Sequence, residues 1–427
     1  MKHTTRHLRR IACFIAIIFL LIAPFQVQAK SNAFSVNAKA ALVVDANSGK
    51  ILYNQNGDEV LGIASMTKLL SAYLIYEQIE LGTISLSDPL PISDYLVKLS
   101  QDPDLSNIPI EKEHAYTVED ALAASLISSA NSLTSALAEY VAGSEVAFVQ
   151  MMYDKLDEWG IHDALLVSAS GLSNEYIQAP YYGQTKKLDE NMMSAKDIAI
   201  VARHLLEDYP EVLNFTSLPS MTLFENSKDP LTIWNSNNML PGYDYFMEGV
   251  DGLKTGTSPV AGACFIGTLK QDNTRLITVV MGVDDKEYNR FDETTRMINY
   301  VNSTWQHKTL MTKGEAPTVP TVDVKGSKYK KADLALSQDV TVWTHPEDTI
   351  EMTLDLTTKQ VSSSGKIKAP MSKKTVVAHQ YVTNKSDTLG YLTPEDKQKN
   401  YVPVTLKNDL EKDNIFLQAW YLVSGKA

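Results

Sequence analysis

Three short stretches of the chain hold residues whose types and spacing could do chemistry. In Ser65-Met66-Thr67-Lys68 a hydroxyl and an amine stand three residues apart, and on a helix such residues share a face. If burial keeps the amine neutral, Lys68 can take the proton of Ser65 and make it a nucleophile. The same spacing recurs at Ser327–Lys330 and Ser363–Lys366, but only Ser65 opens an amphipathic helical pattern, which runs to Ile79. Ser129-Ala130-Asn131 lies where one helical stretch ends and another begins. Such a junction can point short polar side chains into a cleft, Asn131 to hold a substrate amide and Ser129 to relay a proton. From spacing alone a helix-connecting turn is the better reading, and Ser236-Asn237-Asn238 fits the pattern too. Lys254-Thr255-Gly256 occurs once, after Gly249-Val250-Asp251-Gly252-Leu253. Glycines let a ligand approach a strand edge closely, and Lys254 and Thr255 would then offer a charge and a hydroxyl to a carboxylate. By itself this is equally a glycine-rich bend with a surface lysine.

The order and separation of the three are more specific than any one of them. S-x-x-K, S-x-N and K-T-G are the motif set of penicillin-binding proteins and class A β-lactamases. The flanking residues resemble the low-molecular-mass D-alanyl-D-alanine carboxypeptidases: Ala64 to Leu69, Ser128 to Asn131 (alanine standing where that family usually has glycine), Ser194-Ala195-Lys196-Asp197, Asn235 to Leu240, Val250 to Gly256, and Arg290-Phe291-Asp292-Glu293. The resemblance covers roughly Ala38 to Trp305. It implies that Ser65 attacks the bond between two terminal D-alanines of a peptidoglycan stem peptide, with Lys68 as general base and Ser129 passing the proton to the leaving amine. It also implies that Asn131, Lys254, Thr255, Gly256 and Arg290 bind substrate, that the backbone N–H groups of Ser65 and Thr257 form an oxyanion hole, and that β-lactams acylate Ser65. No cofactor is implied. A class A-like β-lactamase would need a further carboxylate for deacylation, in E-x-x-L-N. The closest string, Glu211-Val212-Leu213-Asn214, is one residue short. A transpeptidase shares the three motifs but is usually larger, and the complete motif set argues against a non-catalytic wall-binding protein.

These residues need a scaffold. Ala41 to Asp45 and Lys50 to Tyr53 flank a turn and read as a hairpin, as do Ala263 to Leu269 and Leu276 to Gly282. Thr117-Val118-Glu119-Asp120 has the form of a helix start with an acid three residues after its cap. Helices follow to about Ser128 and from Leu133 to Val141, and another spans Glu293 to Trp305. Strands at both ends and helices between them predict one α/β unit whose sheet joins distant segments; the resemblance implies that this sheet is antiparallel, flanked by helices, with a helical subdomain. By resemblance this is the β-lactamase/DD-peptidase-like fold. Lys313 to Pro320 reads as a linker. Beyond it Val340 to Thr344, Ile350 to Leu356, Thr375 to Val382 and Val402 to Leu406 read as strands of a small all-β domain, which is not expected to build the site. The division is a signal peptide at 1–29, a catalytic domain at 30–308, a linker at 309–320, a β domain at 321–412 and a tail at 413–427.

The first 29 residues carry Lys2, Arg6, Arg9 and Arg10 and no acid, then a short apolar run and Val27-Gln28-Ala29, as a cleaved export signal does. The run falls short of the ~20 residues of a spanning helix. The chain of 427 residues has a formal charge of −12. Losing those four cations would take it from −12 to −16, which argues against nucleic acid. With Cys13 removed, Cys264 is alone in an apolar run and reads as a buried small hydrophobe. The scattered histidines show no metal-ligand spacing, so no metal is expected. In the tail Ile415, Phe416, Ala419, Trp420, Leu422 and Val423 recur at helical spacing. They suit either a membrane surface or docking on the β domain, so the expected location is outside the cytoplasm, at the outer face of the membrane if the tail anchors.

Overall fold

The computed structural model describes residues 34–111, 113–177 and 180–413; the expected signal segment and the tail beyond Asp413 lie outside them. Five antiparallel strands form the central sheet: β1 (Ala40–Asp45), β2 (Ile51–Gln55), β3 (Val250–Ser258), β4 (Gly262–Gln271) and β5 (Thr274–Val283), in the order β2-β1-β5-β4-β3. The N-terminal hairpin therefore joins the C-terminal strands, and β3, which carries Lys254, is an edge. All six residues of β1 are buried, which requires cover on both faces of the sheet. Helices α5 (Ala195–Asp208) and α6 (Arg290–Thr304) pack against β1 and β5. Asn289 caps α6, its Oδ1 accepting from Phe291 N at 2.8 Å, so this helix starts three residues before the expected Glu293.

The helical part holds α1 (Lys68–Glu80), α2 (Val118–Ile127), α3 (Asn131–Ala142) and α4 (Glu145–Glu158). Thr117 and Asp120 form the anticipated capping box of α2. Helix α1 departs from expectation: every residue from Lys68 to Tyr76 is buried, so it is a core helix rather than an amphipathic one. Its polar residues, which gave the sequence its two-faced look, point at internal partners. Ser71 Oγ, for instance, donates to Ala169 O at 2.6 Å.

Beyond Trp305 the chain enters strands at once. β6 (Gln306–Met311) pairs with β9 (Val340–Thr344), so the expected linker start at residue 309 falls inside a strand. β6 is mostly exposed and lacks the alternation that would reveal it. A six-stranded sheet follows, built from β7 (Thr321–Lys325), β8 (Lys331–Leu336), β10 (Ile350–Asp355), β11 (Lys366–Lys368), β12 (Val376–Asn384) and β13 (Tyr401–Leu406), in the order β10-β12-β13-β8-β7-β11. It has its own apolar core around Val340, Ile367, Val377 and Val404.

The β1–β2 turn makes one of the contacts between the two parts, beside an Arg203–Asp396 ion pair from α5 and a His345–Thr304 hydrogen bond. Lys50, 4% exposed, donates to Ile51 O at 2.7 Å, Asp387 Oδ1 at 2.8 Å and Gly390 O at 3.0 Å. Burial lowers its pKa, and Asp387 opposes that shift. Removing one partner of a buried pair leaves the other uncompensated. Asp387→Ala is therefore expected to lower unfolding stability by about 3 kcal/mol, read from urea denaturation at pH 7. A change below about 0.5 kcal/mol, the size of an ordinary surface substitution, would show that the two carbonyls suffice for Lys50.

Candidate active site

Ser65 lies in a 3₁₀ turn, Ala64–Thr67, that leads straight into α1. Its backbone is wedged between two glycines. A Cβ on Gly171 would stand 2.1 Å from Ala64 O, and one on Gly256 would stand 2.6 Å from Ile63 O. Both positions therefore exclude a side chain, and Gly171 also has φ +87°, a conformation glycine adopts without strain. Gly256 brings edge strand β3 against the turn that bears Ser65. Asn191, absent from the sequence-level candidates, ties the region together: its Nδ2 donates to Thr67 Oγ1 at 3.0 Å and Ser168 O at 2.8 Å, while Oδ1 accepts from Val167 N at 2.6 Å.

Lys68 is fully buried. Its Nζ is 2.9 Å from Ser65 Oγ, 2.7 Å from Asn131 Oδ1 and 2.7 Å from Ser170 O. The last two oxygens can only accept. In a neutral amine they take both N–H bonds and leave the lone pair for the Ser65 hydroxyl. Burial, and then the Lys254 charge, hold the Lys68 pKa well below the usual lysine range; Glu145 acts the other way. Geometry and electrostatics thus agree on an amine able to accept the Ser65 proton.

Ser129 follows the C-terminus of α2 with φ +64°, a strained conformation for a residue with a Cβ and one that clusters at functional sites. Its hydroxyl is buried without a hydrogen-bond partner, and so is Lys254 Nζ. Lys254 is 1% exposed, which corrects the surface-lysine reading. Burial, and then the Arg290 charge, pull its pKa down to about 7. Unmet buried polar groups are costly and call for an explanation; here both belong to the motifs around Ser65.

Thr255 Oγ1 is 2.6 Å from Ser236 Oγ. Ser236 fits the pattern of the second motif, but its run, Asn235 to Leu240, is the one that resembles the family's approach to the third, and there the fold brings it. Thr257 is exposed next to Gly256. Arg290 is buried and turned toward β3: Nη1 donates to Gly256 O at 2.8 Å, Thr257 Oγ1 at 2.9 Å and Cys264 O at 3.0 Å, while Nη2 pairs with Asp285. The carboxylate it meets is thus that of Asp285, not those of Asp292 or Glu293 beside it in sequence. Cys264 is buried, and burial raises its thiol pKa to about 11, as suits a packing residue. Glu211, the nearest approach to a β-lactamase carboxylate, is exposed on a 3₁₀ turn. No group of three or more possible metal-ligating side chains occurs among the described residues.

Sequence reasoning missed Ser170, Gly171 and Asn191. Only Ser168-Ala169-Ser170-Gly171, a polar glycine-containing run between helices, carried a signal, and it was that of a turn.

Comparison with known proteins agrees with this arrangement. Residues 26–285 match the profile of peptidase family S11, described as D-alanyl-D-alanine carboxypeptidase. D-alanyl-D-alanine carboxypeptidase DacF of Bacillus subtilis is 30% identical over 365 residues, 84% of this chain and 86% of that protein. D-alanyl-D-alanine carboxypeptidase DacC of Escherichia coli is 29% identical over 307 residues, 69% of this chain and 68% of the relative. The crystal structure of a peptidoglycan synthesis regulatory factor (PBP3) from Streptococcus pneumoniae superimposes with a TM-score of 0.78 at 38% identity, over 88% of this chain and 100% of that one. Penicillin-binding protein D2 of Listeria monocytogenes, in its cefotaxime-bound form, gives 0.53 at 28% identity over 63% of this chain and 98% of its own. With the S-x-x-K, S-x-N and K-T-G residues gathered around one buried lysine, the profile match over most of the chain makes it a member of the D-alanyl-D-alanine carboxypeptidase family, peptidase family S11.

Proposed function

We propose that the protein is a serine carboxypeptidase that removes the terminal D-alanine from peptidoglycan stem peptides ending in D-Ala-D-Ala. The observation that carries the reading is the set of three contacts at Lys68 Nζ, which suits an uncharged base beside Ser65. Ser65 Oγ forms a bond to the carbonyl carbon of the penultimate D-alanine while its proton passes to Lys68. The backbone N–H groups of Ser65 and Thr257 stabilise the oxyanion, a charge that exists only at the transition state and intermediate. The C–N bond then breaks, and the proton held by Lys68 passes through Ser129 to the leaving amine, which returns Lys68 to the neutral form. Water attacks the acyl-enzyme, Lys68 takes a proton from it, and Ser65 regains its own. Asn131 and Thr255, with Gly256 lending close approach, align the peptide. Lys254 binds the terminal carboxylate. Arg290 holds β3 and orients Thr257 through its bonds to that strand. A β-lactam acylates Ser65 by the same first step.

The test is incubation of purified protein with a peptide ending in D-Ala-D-Ala and assay for free D-alanine, with penicillin turnover in parallel. Stoichiometric D-alanine with slow penicillin turnover supports the reading; rapid penicillin hydrolysis without D-alanine release favours a β-lactamase.

We also propose that the basic apolar start directs export, that residues 30–308 and 321–412 are separate modules, and that the tail attaches the enzyme to the outer face of the membrane. Removal of the residues after Asp413 is expected to move the protein from the membrane fraction to the soluble one. An unchanged distribution would favour docking of the tail on the β domain.

A further inference from the structure

Glu145 is a buried carboxylate with no part in the chemistry above. It is the first residue of α4, and its side chain reaches the segment that binds Lys68. Oε1 accepts from Ala169 N at 2.7 Å. Ala169 O accepts from Ser71 Oγ at 2.6 Å, and Ser170 O, one residue on, accepts from Lys68 Nζ at 2.7 Å. Ser168 Oγ accepts from Gly171 N at 3.0 Å, and Gly171 lies against the backbone of Ser65. One carboxylate thus holds the Ala169 N–H of a four-residue segment that Asn191 also grips at Ser168, whose carbonyls hold α1 and the amine, and whose glycine abuts the nucleophile.

We propose that Glu145 is a positioning residue for acylation: through Ala169 it anchors the Ser168–Gly171 segment that orients Lys68, and its carboxylate opposes the Lys254 charge that presses on Lys68. The inference rests on the assignment of Lys68 as general base.

Two independent features support it. The first is the hydrogen-bond chain, which is purely geometric. The second is charge. Glu145 stands in the first turn of a 14-residue helix, where the aligned peptide dipoles favour an anion. Burial works against that and raises its pKa, while the Ala169 N–H works the other way. The charged groups facing Lys68 are Lys254, from β3, and Glu145, from α4. Glu145 in turn is faced by Glu139 and Ser135 on α3 and by Tyr95, which together with it line a cavity of about 370 Å³. Lys254 drives Lys68 toward the neutral form and Glu145 drives it toward the charged one, so Glu145 keeps the amine basic enough to pull a proton from a hydroxyl.

Glu145→Gln separates the two roles. The amide oxygen can still accept from Ala169 N, but the charge is gone. Without the carboxylate the protonated amine is less stable, so Lys68 stays neutral to lower pH. The acidic limb of the penicillin acylation rate is expected to move to lower pH by roughly one unit, the low end of the effect of a close opposite charge. Glu145→Ala also loses the anchor, and its plateau rate is expected to fall by roughly tenfold or more, while the glutamine variant retains most of it. Acylation is followed by stopped-flow fluorescence of a labelled penicillin on the full chain, between pH 5 and 10. A glutamine variant whose profile superimposes on that of the original protein overturns the inference, whether or not the alanine variant folds. Lys68→Ala distinguishes the two levels of failure. If it acylates at the original rate, the general-base assignment itself is wrong; if it is inactive while Glu145→Gln is unchanged, only the role of Glu145 falls.

Discussion

A labelled penicillin will attach to Ser65, and Ser65→Ala will carry no label. Activating groups that work as a unit are non-additive: removing the nucleophile or its base alone typically costs about as much as removing both, on the order of 10⁴- to 10⁶-fold in rate. Here the unit is tight. Lys68 Nζ is 2.9 Å from Ser65 Oγ, and its other two partners are fixed by α3 and by the Ser170 backbone. Lys68→Ala is accordingly expected to fall to nearly the same residual rate as Ser65→Ala, and the double variant little further. The measurement is peptide mapping of the acylated protein with stopped-flow rates for the three variants. Full labelling of Ser65→Ala would place the nucleophile elsewhere. A Lys68 variant only a few-fold slower than the original would mean that the proton goes to another group.

Discrimination of the terminal carboxylate will depend on Lys254 more than on Arg290. Lys254 Nζ is buried and without a partner, so its charge is free for a ligand. The guanidinium of Arg290 already serves Gly256, Thr257, Cys264 and Asp285. Losing one member of a buried charged pair costs about 2–5 kcal/mol, or roughly 30- to 4,000-fold. Lys254→Gln is expected to lose that much kcat/KM on a peptide with a free C-terminal carboxylate. A peptide whose terminus is an amide should be a poor substrate for the original enzyme and lose little more in the variant. Arg290→Ala is expected to affect both peptides alike, because its loss loosens β3. Measuring kcat/KM for both peptides on the original protein and each variant decides the matter. Equal losses in Lys254→Gln on acid and amide would show that Lys254 serves the reaction and does not read the carboxylate.

What could be read from the sequence was whatever is local. Ser65 and Lys68 are one helical turn apart, Thr117 and Asp120 form a box within four residues, and the strands on either side of Asn47 and Asp272 declare themselves by their turns. What could not be read depends on the fold returning to itself. Ser170 meets Lys68 across 102 positions and Asn191 meets Thr67 across 124; the run around Ser170 signals only a turn, and nothing near Asn191 marks it. Ser236 was visible, both as a decoy of the second motif and in a run that resembles the approach to the third, but its contact with Thr255 exists only in the tertiary structure. The misreading of α1 has a simple physical cause. Periodicity equates polar with exposed, whereas Thr67, Lys68 and Ser71 are polar and buried because the site needs hydrogen-bonding groups in its core. The same equation hid β6, whose exposed, polar residues give no alternation even though its backbone is paired.

The unpartnered amine of Lys254 also has a bearing on the protein as a folded object. A lysine whose folded-state pKa is about 7, against 10.5 for the ordinary side chain, binds fewer protons folded than unfolded between those values. Stability therefore rises with pH through that window, and the penalty is fully present below about 7. The site is kept ready at a cost to the native state, and the strained Ser129 adds to that cost. An anionic ligand that meets Lys254 relieves part of it, so occupancy acts as a folding partner as well as a chemical event. Substrate and antibiotic alike then draw some of their affinity from tension already present in the free enzyme, and a variant made more robust at Lys254 would gain thermal tolerance by surrendering grip.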